Sequence, residues 1–145
     1  MSIEIRTLGA GDDAVLGAVA PEVFDDPVDP GLTREFLADP RHHIAVAVDD
    51  GVVVGFASAV HYIHPDKPRE LWINEVAVAP THHRRGLGKG VMRAILDLGR
   101  SLGCRSAWVL TDRDNTAAVA LYISVGGQDE AKGDAVVMFE FDLAS

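Results

Sequence analysis

Three glycines and three cations lie together in the segment 80–90. The glycines stand at positions 86, 88 and 90, and the cations are Arg84, Arg85 and Lys89. Glycine allows a backbone to turn sharply and to approach a ligand closely. If a helix follows, its first N–H groups have no internal partner and its dipole adds positive charge. We therefore predict an anion-binding turn at the N-terminus of a helix.

The spacing of these glycines restricts the kind of anion. A Walker A loop is excluded, because no Gly-Lys-Ser/Thr follows at the required distance. The dinucleotide fingerprint also fails, because Val91 stands where its third glycine belongs. Asp112 lies near the position of a ribose-binding acid, so a nucleotide-dependent oxidoreductase stays open as a weaker alternative. A solvated turn without a ligand is disfavoured, because six of the seven residues 84–90 are glycines or cations.

The hydrophobic pattern indicates which elements hold this turn. Four helices are predicted from the helical spacing of apolar residues and from the positions of cap residues and prolines. They are 14–20, capped by Asp12 or Asp13, 33–37, capped by Thr33, 88–102, and 117–125, capped by Asp114 or Asn115. Alternating or continuous apolar runs predict strands at 2–7, 43–48, 52–63, 71–79, 106–111 and 136–143, with a hairpin at Asp49-Asp50-Gly51 and loops at 21–31 and 64–70. This order predicts a single α/β or α+β domain, 1–145, built around one sheet.

Composition excludes several classes of protein. The chain has 145 residues, of which 48% are hydrophobic and 24% charged, a balance typical of a globular domain. Its net charge of −9 disfavours nucleic-acid binding. No apolar run reaches a membrane-spanning length, and no histidine spacing indicates a metal. The single cysteine, Cys104, and the lack of a secretory signal pattern predict a cytoplasmic protein.

Two motifs in this sequence resemble those of one enzyme family. Arg85-x-x-Gly88-x-Gly90, after the segment Ile-Asn-Glu-Val-Ala-Val-Ala-Pro, resembles the acyl-CoA pyrophosphate loop of the GNAT acetyltransferase superfamily. The segment from Asn115 through Tyr122 to Gly126 resembles a second motif of that superfamily. Within the superfamily, the stretches Tyr-Ile-His-Pro, Glu-Val-Ala-Val and Ala-Val-Ala-Leu-Tyr most resemble those of the small aminoglycoside 3-N-acetyltransferases. One departure is Gly127, where the family usually has an aromatic residue.

The resemblance implies a fold and a co-substrate. The fold is a mixed, mostly antiparallel sheet with splayed central strands and helices on both faces. The co-substrate is acetyl-CoA, and no metal is implied. The resemblance places backbone groups of one strand against the pantetheine arm, the glycine turn against the pyrophosphate, and one amide side chain against pantetheine from the other side. The implied acetyl-CoA-binding residues are Val76, Ala77, Val78, Arg84, Arg85, Gly86, Leu87, Gly88, Lys89, Gly90 and Asn115. Asn115 would also serve as a helix cap.

Two side chains are candidates for proton transfer to and from the reacting groups. Glu75 is a carboxylate within an apolar run, so we expect it to be partly buried and to act as the general base. An exposed position, or an ion pair with Arg69 or Arg105, is the structural alternative for Glu75. Tyr122 is the candidate general acid for the departing CoA thiolate, with a packed core aromatic as its alternative. Cys104 is expected to be structural, which favours direct transfer without an acyl-enzyme.

The acceptor is predicted from chemistry and from the resemblance together. An amine of a small cationic molecule, with an aminoglycoside first and a polyamine or a protein amine after it, fits the acidic chain. The acids Glu22, Asp25, Asp26 and Asp29 fall in the acceptor loop of the family, although most are expected to be solvated. His82 and His83 are expected to be solvated loop residues. A non-catalytic acyl-CoA-binding module is the competing hypothesis, and a homodimer is a further expectation from the family.

Overall fold

A five-stranded sheet with strand order β1-β2-β3-β4-β5 forms the centre of the protein. The structure is a computed structural model that describes residues 3–129 and 139–144. The strands are β1 Glu4–Leu8, β2 His42–Asp49, β3 Val52–His64, β4 Lys67–Val78 and β5 Ser106–Val109. The helices are α1 Pro30–Ala38, α2 Leu87–Ser101 and α3 Thr116–Ser124, with short 3-10 helices at Asp13–Gly17 and Pro80–His82. The first four strands pair antiparallel and β5 joins β4 in parallel.

Two tight hairpins connect β2, β3 and β4. Asp50 and Gly51 both have positive φ, 50° and 77°, which is the backbone of the predicted two-residue hairpin turn. The predicted loop 64–70 is wrong, because β4 already begins at Lys67. Pro68 suggested a loop, but it lies at an irregularity in the pairing between Tyr62 and His64, where a missing N–H donor is tolerated.

The N-terminal helices differ from their predictions at both caps. Asp29, and not Thr33, caps α1, because its Oδ2 accepts from the Leu32 N–H at 2.7 Å and Pro30 occupies the first helical position. The predicted helix 14–20 ends at Gly17 as a 3-10 helix, and Asp12 makes no side-chain cap bond to it. The residues after Gly17 are extended, because Val53 of β3 exchanges hydrogen bonds with Ala18 and Ala20.

Helices cover both faces of the sheet, as the resemblance implied. On one face, called the α2 face, Val91 and Ile95 of α2 are fully buried and Gly99 lies directly over Leu71. On the opposite face, called the α1 face, Phe24 stacks on Phe56 with ring centroids 4.1 Å apart. The α1 helix reaches the same face through a stack of Phe36 on His42. The core therefore lies in two layers, one on each side of the sheet.

The sheet forks between β4 and β5. The parallel ladder joins Glu70–Ile73 to Ser106–Val109 and stops there, although β4 continues to Val78. A β-bulge lies at the same point, because Ser58 of β3 pairs with Glu75 while the next residue, Ala59, pairs with Ile73. Asn74 is thus the extra residue, and a bulge bends and twists its strand. The implied splaying of the central strands is confirmed.

The predicted C-terminal strand 136–143 is only partly within the described residues. Residues 130–138 lie outside them. Residues 139–144 have no strand structure, and Phe139 and Phe141 are each 79% exposed. The strand prediction is wrong for residues 139–144, which pair with no strand among the residues that the structure describes. In the described part of the chain, no helix is both long and apolar enough to cross a membrane.

Candidate active site

The glycine turn leads from β4 into α2 as predicted, with the helix starting at Leu87. Gly86 is the N-cap and has a left-handed backbone, φ 75° and ψ 12°, which a side chain would disfavour. The first helical hydrogen bond is donated by the Gly90 N–H to the Gly86 carbonyl oxygen at 3.0 Å. The N–H groups of Leu87, Gly88 and Lys89 precede that bond and point out of the helix end. They form the donor set that an anion requires.

The other two glycines serve packing between elements. A Cβ at Gly88 would lie 3.2 Å from Cδ2 of Leu121 on α3, and a Cβ at Gly90 would lie 3.1 Å from Cδ1 of Ile5 on β1. Both distances are shorter than ordinary carbon contacts. Two of the three glycines therefore have a packing role that the sequence argument did not foresee, since they admit neighbouring side chains.

The cations of the turn face solvent. Arg84, Arg85 and Lys89 are all exposed, and Arg84 has a left-handed φ of 64°. Within residues 3–129 and 139–144, none of the three forms an ion pair. The turn therefore combines helix amides with exposed positive charges, a combination suited to a diphosphate.

Two histidines connect the turn to the sheet through hydrogen bonds. His82 Nε2 lies 2.7 Å from Asp49 Oδ2 in the β2–β3 hairpin, and His82 Nδ1 lies 2.8 Å from Thr81 Oγ1. The side chain of His82 is only 15% exposed. His83 Nε2 lies 2.9 Å from the Val78 carbonyl oxygen. The expectation of a solvated loop residue is wrong for His82, whereas His83 is exposed as expected. No local sequence signal connects His82 with Asp49, 33 residues away.

The β4 edge presents backbone groups to the fork, with one correction. The Ala79 N–H donates to the Val54 carbonyl oxygen at 2.8 Å. In an antiparallel ladder, residues two apart face the same neighbour, so Ala77 directs its backbone groups to its β3 partner Phe56. Val76 and Val78 direct theirs away from β3, and the contact of His83 with the Val78 carbonyl agrees with this direction. Val76 and Val78 are therefore available as strand-like partners, whereas Ala77 is not.

Glu75 lies in the bulge at the fork and on the α1 face. Directly paired residues share a face, so its pairing with Ser58 places it beside the Phe56–Ala77 pair. Its side chain is exposed, so the expected partial burial is wrong. Among the described residues it makes no ion pair with Arg69 or Arg105, and the Arg69 guanidinium instead donates to the Leu102 carbonyl oxygen. The bulge explains the exposure, because it shifts the alternation of β4 by one residue.

Tyr122 lies on the other face of the sheet. It lines a cavity of about 280 Å³ together with Leu71 and Ile73 of β4, whose side chains contact the α2 layer, and with Val109 of β5. Ile73 and Val109 are the last paired residues before the fork. Burial raises the pKa of Tyr122 above its ordinary value, so its hydroxyl stays protonated at neutral pH. Tyr122 therefore lies on the α2 face with a phenol that keeps its proton at neutral pH.

Hydrogen bonds at both ends stabilise the helix that carries Tyr122. Asn115 Oδ1 accepts from the Ala118 N–H at 3.1 Å, which confirms the predicted cap. The Nδ2 group and the second lone pair of Oδ1 are not used by this cap bond. The Gly127 N–H donates to the Tyr122 carbonyl oxygen at 2.8 Å, and a Cβ at residue 127 would come within 2.7 Å of that oxygen. The departure from the family at Gly127 is thus tied to this close turn after α3.

Cys104 is closer to Tyr122 than its place in the sequence indicated. It lines the same cavity and is partly buried. Burial raises the pKa of the thiol, although Arg69 opposes that effect. A raised pKa lowers the thiolate fraction, and the thiolate is the nucleophilic form. The structure agrees with a structural role for Cys104.

A second cavity opens over the α1 face. It has a volume of about 680 Å³ and is walled by Phe24 and by the acids of the segment before α1. Its carboxylates are Asp13, Glu22, Asp25 and Asp26. Asp13 was missed because it precedes the acidic run, while Asp29 is used as the α1 cap. This cavity and Glu75 lie on the same face of the sheet.

An aromatic group next to Glu75 was also missed by the sequence argument. Trp72 of β4 stacks on Trp108 of β5, with ring centroids 4.9 Å apart and an interplanar angle of 6°. Trp108 Nε1 donates a hydrogen bond to the Tyr62 hydroxyl. The alternation of the two strands could have indicated a shared face, but the register that pairs them could not be known. Across the described ranges, no three His, Cys, Asp or Glu side chains are grouped so as to hold a metal.

Comparison with known proteins identifies relatives of this arrangement. The model of the acetyltransferase (GNAT) family matches residues 16–126. Over 106 residues, 73% of this chain, the sequence is 37% identical to the N-alpha-acetyltransferase RimI of Mycobacterium tuberculosis, of which it covers 65%. A mycothiol acetyltransferase of Pseudarthrobacter chlorophenolicus is 32% identical over 127 residues, 81% of this chain and 39% of that protein. The chain thus spans less than two thirds of the length of these two relatives.

Solved structures agree on the fold. The aminoglycoside N-acetyltransferase AAC(6')-Iy, in complex with a bisubstrate analogue of CoA and acetylneamine, superposes with a TM-score of 0.78 at 21% identity, over 98% of this chain and 99% of that one. The finer assignment to 3-N enzymes stays a prediction. The family model covers most of the chain, and the forked sheet and the glycine turn are both present. The chain therefore belongs to the acetyltransferase (GNAT) family, a family of acetyl-CoA-dependent acyltransferases.

Proposed function

We propose that this protein transfers the acetyl group of acetyl-CoA directly to a primary amine of a small cationic acceptor. The observation that carries this proposal is the fork between β4 and β5, which connects the two faces of the sheet. The α2 amides and Tyr122 are associated with the α2 face, and Glu75 and the acidic cavity with the α1 face. Two substrates that approach from opposite faces would meet at the fork, where proximity supplies much of the rate.

On the α2 face, the chain offers hydrogen-bonding groups that match the pyrophosphate and the pantetheine arm of CoA. The first-turn amides of α2, with Arg84, Arg85 and Lys89 beside them, would hold the pyrophosphate. The backbone groups of Val76 and Val78, which point away from β3, would pair with the amides of the pantetheine arm as an added strand does. The Val78 carbonyl is the acceptor that His83 now contacts at 2.9 Å, so pantetheine would share or replace that contact.

Proton movements follow from the positions of Glu75 and Tyr122. An alkyl amine is protonated at neutral pH, so its lone pair must be freed before it can attack the acetyl carbonyl. Glu75, exposed on the acceptor side, would accept that proton directly or through one water. The new C–N bond forms, the C–S bond breaks, and Tyr122 would donate its proton to the departing thiolate. Because its pKa is raised, the Tyr122 hydroxyl is still protonated when the thiolate departs.

Charge and shape support a cationic acceptor. The cavity on the α1 face holds four carboxylates at its wall, and the whole chain carries a net charge of −9. Such a field attracts polycations and raises their local concentration. An aminoglycoside is the leading acceptor, since solved relatives of the same fold are aminoglycoside acetyltransferases. A polyamine or a protein amine follows, the latter because the RimI relative is an N-alpha-acetyltransferase.

A thiol-release assay tests the proposal. Acetyl-CoA is combined with aminoglycosides, polyamines and peptides in turn, and free CoA thiol is measured. We expect release with at least one polycationic amine, and intersecting double-reciprocal lines as required for a ternary complex. Glu75→Gln and Tyr122→Phe should lower kcat about 10²–10⁴-fold, the range for general acid–base groups, whereas Cys104→Ala should retain it.

The following outcomes would contradict parts of this proposal. Parallel double-reciprocal lines, or an isolable acetyl group on Cys104, would replace direct transfer by an acyl-enzyme. An unchanged kcat in Tyr122→Phe would remove Tyr122 from the mechanism. Tight binding of CoA without thiol release on any amine would identify a non-catalytic acyl-CoA-binding module instead, and binding of NADH in place of CoA would indicate an oxidoreductase.

A further inference from the structure

The aromatic group on the α1 face lies on the same face of the sheet as the candidate base, three residues away along β4. Trp72 and Glu75 belong to the same strand and the same face, because Trp72 pairs with Val60 and Glu75 with Ser58, two residues apart on β3. Trp108 joins them from β5 as the partner of Trp72. The three-residue separation of Trp72 and Glu75 corresponds to roughly 10 Å or less along a strand. One small acceptor could therefore touch both groups.

The two indole rings are held in place but are not buried. Trp72 is 38% exposed and Trp108 is 36% exposed, which is unusual for side chains of this size. The parallel stack and the hydrogen bond from Trp108 Nε1 to the Tyr62 hydroxyl restrict the rings to one orientation. A rigid aromatic surface that still faces solvent costs little conformational entropy when it binds a ligand. The arrangement is that of a binding surface and not of a core.

The occupant of this surface follows from charge. An indole face attracts a cation within about 6 Å of the ring centroid, and tryptophan is the strongest of the aromatic residues in this respect. The carboxylates of the cavity on the same face, and the net charge of −9, favour a cation further. An uncharged apolar group would be stabilised here by burial alone, without an electrostatic contribution from the carboxylates.

We propose that the pair Trp72–Trp108, oriented by Tyr62, binds a second ammonium group of the acceptor while its reacting amine lies at Glu75. The inference rests on the proposed acetyltransferase function and narrows its substrate class to diamines and polyamines, aminoglycosides included. The Trp pair is thereby a specificity-determining surface and not part of the proton transfers. It discriminates acceptors by the charge at the far end of the molecule.

The test compares two acceptors that differ at that far end. Cadaverine carries a second ammonium group, and hexylamine carries a methyl group in the corresponding place. In the wild-type protein, kcat/KM should be higher for cadaverine. Trp108→Leu should lower kcat/KM for cadaverine about 3- to 30-fold, the effect of one cation–π contact, through KM. It should change the value for hexylamine less than twofold, and Trp108→Phe should restore most of the preference for cadaverine.

Each alternative outcome is decisive. Equal losses for both amines in Trp108→Leu would show an apolar or structural role and overturn the inference, as would an unchanged preference. If the wild-type protein acetylates neither amine, calorimetric titration of the CoA complex separates the two proposals. Cadaverine binding that depends on Trp108 would keep the cation surface while the transfer proposal fails, and no difference in binding between the amines would refute the surface itself. Circular dichroism confirms that each variant is folded.

Discussion

Replacement of Gly86 by alanine tests whether the shape of the glycine turn, and not merely its composition, forms the anion site. Gly86 has φ 75° and caps α2. A left-handed conformation costs an L-residue roughly 1–2 kcal/mol, and a Cβ at this position meets no heavy atom within 4 Å, so no steric term is added. If the turn keeps its shape in Gly86→Ala, the free energy of unfolding should fall by this amount.

The backbone strain in Gly86→Ala can also be relieved by a change in the conformation of the turn. In that case the amides of Leu87, Gly88 and Lys89 move away from their common direction. The affinity for CoA then falls by up to about 5- to 30-fold, the same free energy expressed as a binding constant. Urea unfolding and calorimetric titration with CoA measure the two losses separately. We expect their sum to be about 1–2 kcal/mol.

Two glycines provide controls for this variant. Gly9→Ala adds a Cβ in open space at a residue outside the left-handed region, so both measurements should stay within about 0.5 kcal/mol of the wild type. Gly88→Ala adds a Cβ 3.2 Å from the flexible end of Leu121, so its effect should fall on stability more than on CoA affinity. If Gly86→Ala behaves like Gly9→Ala in both assays, the turn is not a preorganised anion site and the reasoning fails.

Three further outcomes follow from single contacts. Asp49→Ala removes the hydrogen bond that holds His82 and, in steady-state kinetics, should raise the KM for acetyl-CoA about 3- to 10-fold with kcat unchanged. A fall in kcat alone would contradict this. Asp29→Ala removes the cap on the Leu32 N–H and should lower the free energy of urea unfolding by about 1 kcal/mol, whereas an unchanged value would show that solvent replaces the cap. Burial, together with the charge of His61, lowers the pKa of His43 to about 4. As the pH falls, the unfolded chain therefore takes up this proton first, and the free energy of unfolding should fall by roughly 1–3 kcal/mol between about pH 6.5 and 4, after allowance for screening. A His43→Phe variant whose stability falls equally steeply over this pH range would refute this.

Local signals in the sequence predicted much of the fold. The Asp50-Gly51 turn, the helix after the glycine turn and the cap at Asn115 are confirmed, because each depends on the backbone preferences of a few neighbouring residues. The predictions that failed depended on distant partners. The helix 14–20 ends early because Val53 draws the chain after Gly17 into an extended conformation.

The candidate site divides in the same way. The sequence by itself determined the glycine turn before a helix and the residue types proposed for proton transfer, since glycine conformations, helix-end amides and a carboxylate within an apolar run are properties of one segment. Only the tertiary structure decided that Glu75 is exposed, that it shares a face with two tryptophans, and that Tyr122 lies on the opposite face. The physical reason is the bulge at Asn74, because the face on which a side chain lies depends on strand register, and register is set by pairing between strands that are distant in the chain.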